Sequence, residues 1–201
     1  MEHYQFLDML GMVGYEKSNK NPMKKILVIG SGGAGKSTFA QRLGAILKLE
    51  VIHLDSLYWS SGWVEMPKDK WRAVVEDLLQ YDSWIMDGNY GGTLDLRLAA
   101  CDSVIFLDVP RLICLQRLLK RVALYRKASR PDMAAGCHER VNWEFIKYVW
   151  DYPRKKRPAL LEKLKSCSQT KSVIILKSQA DIESYLANQR ISHSAIVSTT
   201  D

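Results

Sequence analysis

The chain has 201 residues, 47% of them hydrophobic and 25% charged, with a formal net charge of +7. That length and balance suit a single domain with a proper core. No apolar run approaches bilayer length and no basic-then-apolar leader is read, so a cytoplasmic protein outside the membrane is expected. The four cysteines are far apart and form no C-x-x-C pair, which argues against a disulfide scaffold or a zinc site.

Residues 1–22 precede the first strand. Phe6, Leu7, Met9, Leu10 and Met12 outline one short apolar helix face, but Gly11, Gly14 and the polar 17–21 stretch limit it. A flexible extension is expected, with a main domain over 23–188.

Residues 24–38 (KKILVIGSGGAGKST) read as an apolar strand, a glycine-rich turn and the start of a helix. Gly30, Gly35, Lys36 and Ser37 fill the fixed positions of the G-x-x-x-x-G-K-[ST] phosphate-binding loop, or Walker A motif. Glycines let successive N–H groups turn inward toward phosphate oxygens, and the helix dipole adds to the same point. Gly30, Ser31, Gly32, Gly33, Ala34, Gly35, Lys36, Ser37 and Thr38 are therefore the nucleotide-binding candidates. Lys36 reaches the β- and γ-phosphates in such loops, and the Ser37 hydroxyl ligates Mg²⁺.

A helix over 38–48 follows, then a strand over 51–54 ending on Asp55. Ligands gather at the carboxyl ends of strands in open α/β sheets, so Asp55 stands where a substrate or Mg²⁺ is held; a plain helix cap is its alternative. His53 reads as a packed strand residue. Residues 57–64 (LYWSSGWV) are aromatic and irregular; Tyr58, Trp59 and Trp63 are either cleft walls or packing for the helix expected over 68–80.

The third strand, 84–88, carries Asp87 near its end, the candidate carboxylate for ordering Mg²⁺ through water. A helix over 94–100 carries Arg97, which either touches a substrate anion or pairs locally. The fourth strand, 103–107, is closed by Asp108, the rival for the metal role.

A helix over 112–127 places Arg117 and Arg121 four apart on one face, where planar guanidinium groups suit triphosphate oxygens. Residues 128–137 break periodicity with Pro131 and Gly136, as a flap does, so a small lid is expected at about 126–140, with Arg130 near its start as a further substrate candidate. The helix over 141–152 is rich in aromatics, read first as core. Between residues 111 and 165 there are 15 Lys and Arg against 5 Asp and Glu. That excess, with the RKKR run at 154–157, is a phosphate funnel, a nucleic-acid patch or a solvated surface. A helix over 159–165, a strand over 172–176, a helix over 182–187 and a disordered tail from 189 complete the reading.

Five strands alternating with helices behind a phosphate loop imply a three-layer P-loop NTPase fold: a parallel sheet with helices on both faces. The chain resembles the adenylate-kinase-like phosphate-loop kinases, most closely the bacterial family called DNA topology modulation proteins. The residues carrying that likeness are IGSGGAGKST (29–38), HLDSLYW (53–59), IMDGNYGGTLDLRL (85–98), FLDVPR (106–111), RPDMAAGC (130–137) and WEFIKYVWDYPRKKRP (143–158). The resemblance implies the strand order of nucleoside monophosphate kinases, with the third strand beside the phosphate-loop strand and Asp87 nearer Mg²⁺ than Asp108. It matches Arg117 and Arg121 to the R-x-x-x-R of the lid region, and Asp55 to the Asp that shikimate and gluconate kinases place after their second strand. Adenylate kinases follow their third-strand Asp-Gly with Pro-Arg, where Asn89-Tyr90 stands here, which argues against adenylate kinase activity itself.

The expectation is an ATP- and Mg²⁺-dependent phosphotransferase acting on a small nucleotide or metabolite. Lys36, Asp55, Arg117 and Arg121 are its catalytic candidates, Ser37 and Asp87 its metal candidates, and Asp55, Tyr58, Trp59, Arg97 and Arg130 its substrate candidates. The alternative is an ATP-binding regulator that contacts nucleic acid. A nucleotide hydrolase is a third reading. A monomer or a homodimer fits either of the first two.

Overall fold

The computed structural model describes residues 23–125, 132–137 and 142–197. The extension 1–22, Arg126, Arg130, the rest of the expected lid outside 132–137, and residues 198–201 lie outside the described residues.

The central strand is β1, Lys25–Gly30, whose Ile26, Leu27, Val28 and Ile29 are all buried. An unbroken apolar run suits a strand covered on both faces. It pairs in parallel with β5, Trp84–Asp87, on one side and β6, Ser103–Leu107, on the other. Beyond β5 lies β2, Val51–His53, and beyond β6 lies β7, Ser172–Leu176. The five-stranded parallel sheet therefore runs β2-β5-β1-β6-β7, and the third of the predicted strands does lie beside the phosphate-loop strand.

Alternation along the strands builds two cores. Ile26, Val28, Ile105 and Ile174 face α1, Lys36–Leu47, and α8, Gln179–Val197, through Phe39, Leu43, Ile182 and Leu186. Leu27, Ile29, Met86 and Phe106 face the opposite side, toward α3, Lys68–Leu78, α4, Leu94–Ala100, and α7, Arg157–Cys167. On the α1 side α5, Arg111–Tyr125, adds Cys114, while α6, Trp143–Lys155, reaches both cores through Val149 and Tyr152.

Four local expectations are corrected. Residues 57–64 are not an irregular loop: together with 54–56 and 65 they are ordered. They form a short helix α2, Leu54–Tyr58, and a two-stranded hairpin of β3, Trp59–Ser60, and β4, Val64–Glu65. The last helix continues to Val197, so the tail expected from 189 is helical over most of its length. The helix expected to stop at 152 passes through Pro153 to Lys155. Its aromatics are not all core: Tyr152 is buried, whereas Trp143 is 76% exposed and Trp150 carries the Arg111 guanidinium 4.0 Å over its ring.

Candidate active site

The turn from β1 to α1 is the phosphate loop, and its glycines are needed for reasons the coordinates make specific. Gly33 and Gly35 adopt φ of 79° and 96°, a left-handed backbone that side chains resist. A Cβ on Gly33 would stand 2.3 Å from the Cys114 carbonyl oxygen, and one on Gly32 2.5 Å from Phe145 Cζ. The amides opening α1 have no intrahelical acceptor. Ser31 Oγ is buried with no hydrogen-bond partner among the described residues, and Lys36 Nζ folds back to donate to the Ser31 carbonyl at 3.1 Å. A cradle of inward amides, an orphaned hydroxyl and a lysine held over the loop fits a polyphosphate chain.

The loop lines one end of a cleft of about 730 Å³. Gly32, Gly33, Gly35, Lys36, Ser37 and Thr38 border it, and so do Asp55, Trp59, Arg117 and Arg121. Burial pushes the Lys36 ammonium below its ordinary range, while the Asp55 and Asp87 carboxylates pull the other way and Arg121 adds to the depression. Arg117 reaches from α5 to the back of the loop: Nη1 donates to the Ala34 carbonyl at 3.0 Å and Nη2 to Gln179 Oε1 at 2.8 Å.

Asp55 is in the first turn of α2 rather than at the strand end, and its Oδ1 accepts from the Tyr90 hydroxyl at 2.7 Å. The helix is capped at His53, so Asp55 is not a plain cap.

The structure separates the two rival carboxylates. Asp87, beside Val28 of β1 and His53 of β2, is buried, and its charge reaches Lys36. Asp108 is taken by Arg157, whose Nε and Nη2 approach its two oxygens at 2.7–3.0 Å. That ion pair also consumes one cation of the 154–157 run, and Lys155 pairs with Asp151 at 2.7 Å. Among the described residues no cluster of three His, Cys, Asp or Glu could hold a metal. One hydroxyl, Ser37, with one carboxylate, Asp87, suits Mg²⁺ that keeps its waters and phosphate oxygens.

Two substrate candidates are corrected. Arg97 is fully buried: Nη1 donates to the Gly88 carbonyl at 2.8 Å and Nη2 to the Tyr90 carbonyl at 2.7 Å. Burial lowers its guanidinium to about 10. It shapes the 88–90 turn and does not line the cleft. Tyr58 does not border the cleft; its ring packs among Trp59, Trp71 and Tyr90 with centroids 4.6–5.1 Å away.

Sequence reasoning missed five contributors. Asn89 clamps the loop, accepting from the Gly30 amide at 3.1 Å while its Nδ2 donates to the Gly30 carbonyl. Tyr90 holds Asp55. His53 is no mere packing residue: Nδ1 donates to Asp87 Oδ1 at 2.8 Å, and that bond raises the imidazole above its usual range. Phe145 and Tyr148, stacked at 5.9 Å, border the cleft from α6. Only the Asn89-Tyr90 departure from the kinase pattern hinted at any of these.

No protein-family model matches the chain. It is 31% identical over 129 residues to the Bacillus subtilis (strain 168) protein named uncharacterized protein YqaC, a stretch covering 63% of this chain and 71% of that protein. The chain belongs to the family of YqaC. Among solved structures, shikimate kinase from Acinetobacter baumannii in complex with shikimate aligns with a TM-score of 0.50 at 15% identity, over 89% of this chain and 93% of that one. A gluconokinase from Sinorhizobium meliloti 1021 aligns with a TM-score of 0.49 at 12% identity, over 88% and 95%. The shikimate kinase likeness and the sheet order together establish the P-loop NTPase fold. Among the described residues no helix is long and apolar enough to cross a membrane.

Proposed function

We propose that the chain is an ATP- and Mg²⁺-dependent phosphotransferase that acts on the hydroxyl of a small acceptor. The observation that carries this reading is a single cleft in which a phosphate loop with Lys36 faces a carboxylate, Asp55, fixed by its own hydrogen bond. The loop amides and Lys36 bind the triphosphate. Ser37 and Asp87 would hold Mg²⁺, which supplies charge neutralisation on the phosphates. Asp55 orients the acceptor hydroxyl and accepts its proton. Arg117 and Arg121 neutralise charge that builds on the transferring phosphoryl. The fold likeness to a shikimate kinase in complex with shikimate supports a small-molecule acceptor. The likeness to DNA topology modulation proteins names no chemistry for this cleft, and the reading does not rest on it.

The test is Mg-ATP turnover followed by ADP release across a panel of small acceptors. One acceptor stimulating release strongly in the wild type and not in Lys36→Ala, with that variant folded, is the expected result. Near-wild-type turnover in Lys36→Ala would sink the assignment.

A further inference from the structure

Asp87 does not stand alone at the end of β5. His53 is its register partner on β2, and Val28, its partner on β1, belongs to the core that faces α1. Ile52, one residue before His53, packs in the opposite core. Neighbours in register project to one face of a sheet, so the His53 and Asp87 side chains both point toward the helix that follows the phosphate loop. There His53 Nδ1 donates to Asp87 Oδ1 at 2.8 Å, with the two side chains only 14% and 5% exposed. The other ring nitrogen, Nε2, lies 3.3 Å from Nε2 of Gln41 on α1. The backbone of His53 is fixed as well, since it caps α2 and its carbonyl accepts from the Ser56 hydroxyl at 2.7 Å.

Gln41 is one helical turn beyond Ser37, and residues four apart share a helix face. One imidazole therefore links the strand that carries Asp87 to the helix face that carries Ser37. A carboxylate only accepts, so Nδ1 carries a proton whatever the state of Nε2. A side-chain amide can present its NH₂ or its carbonyl, so Gln41 can meet Nε2 as donor or as acceptor. The bridge needs no particular charge on the ring.

Resting on the reading of Ser37 and Asp87 as the Mg²⁺ residues, we propose that His53, steadied by Gln41, is a positioning residue that sets the orientation of the Asp87 carboxylate for the metal. A carboxylate with one oxygen held in a hydrogen bond no longer swings about its side-chain torsion, and its other oxygen keeps a fixed direction. Partners of this outer kind are worth about 10–100-fold in metal affinity. His53 does not border the cleft, so it acts through Asp87 and leaves the loop's own grip on phosphate unchanged.

The test titrates the full chain with a non-hydrolysable ATP analogue by calorimetry, in EDTA and over a series of Mg²⁺ concentrations, with a thermal melt of each variant. In the wild type Mg²⁺ should tighten analogue binding. His53→Leu should raise the Mg²⁺ concentration that gives half of this effect by about tenfold or more, with the metal-free affinity unchanged. His53→Asn keeps an N–H donor close to the place of Nδ1 and should recover most of the loss. Gln41→Leu, at an exposed position, should shift the Mg²⁺ dependence in the same direction by less, and it carries the test if His53→Leu does not fold. A loss of affinity equal with and without Mg²⁺, no shift in either leucine variant, or no recovery in His53→Asn would overturn the proposal and leave the phosphotransferase reading standing. A wild type whose analogue binding ignores Mg²⁺ would remove the metal reading and this proposal together. ADP release to a small acceptor, lost in Lys36→Ala, would still decide the kinase separately.

Discussion

The Tyr90 hydroxyl donates to Asp55 Oδ1 at 2.7 Å, joining the turn after β5 to the first turn of α2. The bond leaves Asp55 one fixed orientation at the mouth of the phosphate loop. Tyr90 is itself held by Tyr58 and Trp71, whose ring centroids lie 4.6 and 4.8 Å from its own.

On the proposed role of Asp55 as base, Tyr90→Phe removes only the hydroxyl and should lower kcat about tenfold, with ATP affinity unchanged, since a base that loses its positioning bond loses precision rather than chemistry. Asp55→Asn should cost on the order of a hundredfold or more in kcat. Steady-state kinetics with separate ATP and acceptor titrations check both. An Asp55→Asn enzyme near wild-type turnover would reduce that carboxylate to a structural role.

Asn89 satisfies both the amide and the carbonyl of Gly30, where β1 gives way to the loop. Asn89→Ala should cost about 2 kcal/mol, because two buried backbone groups lose their partner. Asn89→Asp should be worse than the alanine, since a second oxygen would meet the Gly30 carbonyl and a new charge would sit near Asp87. Chemical denaturation measures the stability, and calorimetric ATP titration should show weaker binding in both variants.

Arg97 acts through the backbone. Arg97→Ala should destabilise the protein by about 3 kcal/mol, combining lost hydrogen bonds with a cavity. Arg97→Lys should recover only part of this, because an ammonium cannot bridge two carbonyls as a planar fork does. Urea midpoints decide the point.

Arg42 and Glu183 tie α1 to α8 with two bonds of 2.6 and 2.7 Å, and Gln179 donates to the same carboxylate at 2.8 Å. Arg42, with help from Gln179, holds the Glu183 carboxyl at about 2, against an ordinary 4.5. A depressed carboxyl contributes stability above its unfolded value and loses it on acidification. Wild type should therefore melt slightly above Glu183→Gln at pH 7, the gap closing as pH falls from 4.5 toward 2. The gap should also shrink with salt, because both side chains are solvated.

Much of the site was legible because its chemistry is contiguous. Gly30 to Thr38 must follow one another for the loop to curl, so the motif carries its own geometry. The inner sheet strands β1, β5 and β6 were legible for a related reason: a strand buried on both faces has to be largely apolar. The hairpin was not, because its strands are two residues long and too short for alternation to register. Tyr58 and Trp59 are neighbouring aromatics, yet Trp59 borders the cleft and Tyr58 packs behind it, a difference made by the turn of α2.

The sequence by itself determined the loop, the parallel sheet and the presence of carboxylates at its rim, since local spacing and apolar runs suffice for those. Which of the two carboxylates is tied up in an ion pair with an arginine was decided only in three dimensions. Asp87 and Asp108 have the same grammar, each ending a strand, but Arg157 arrives from 49 residues away to neutralise Asp108, while His53 arrives from β2 to orient Asp87. Charge pairing depends on distance in space, falling with separation and with intervening water, and the order of residues along the chain does not contain that distance.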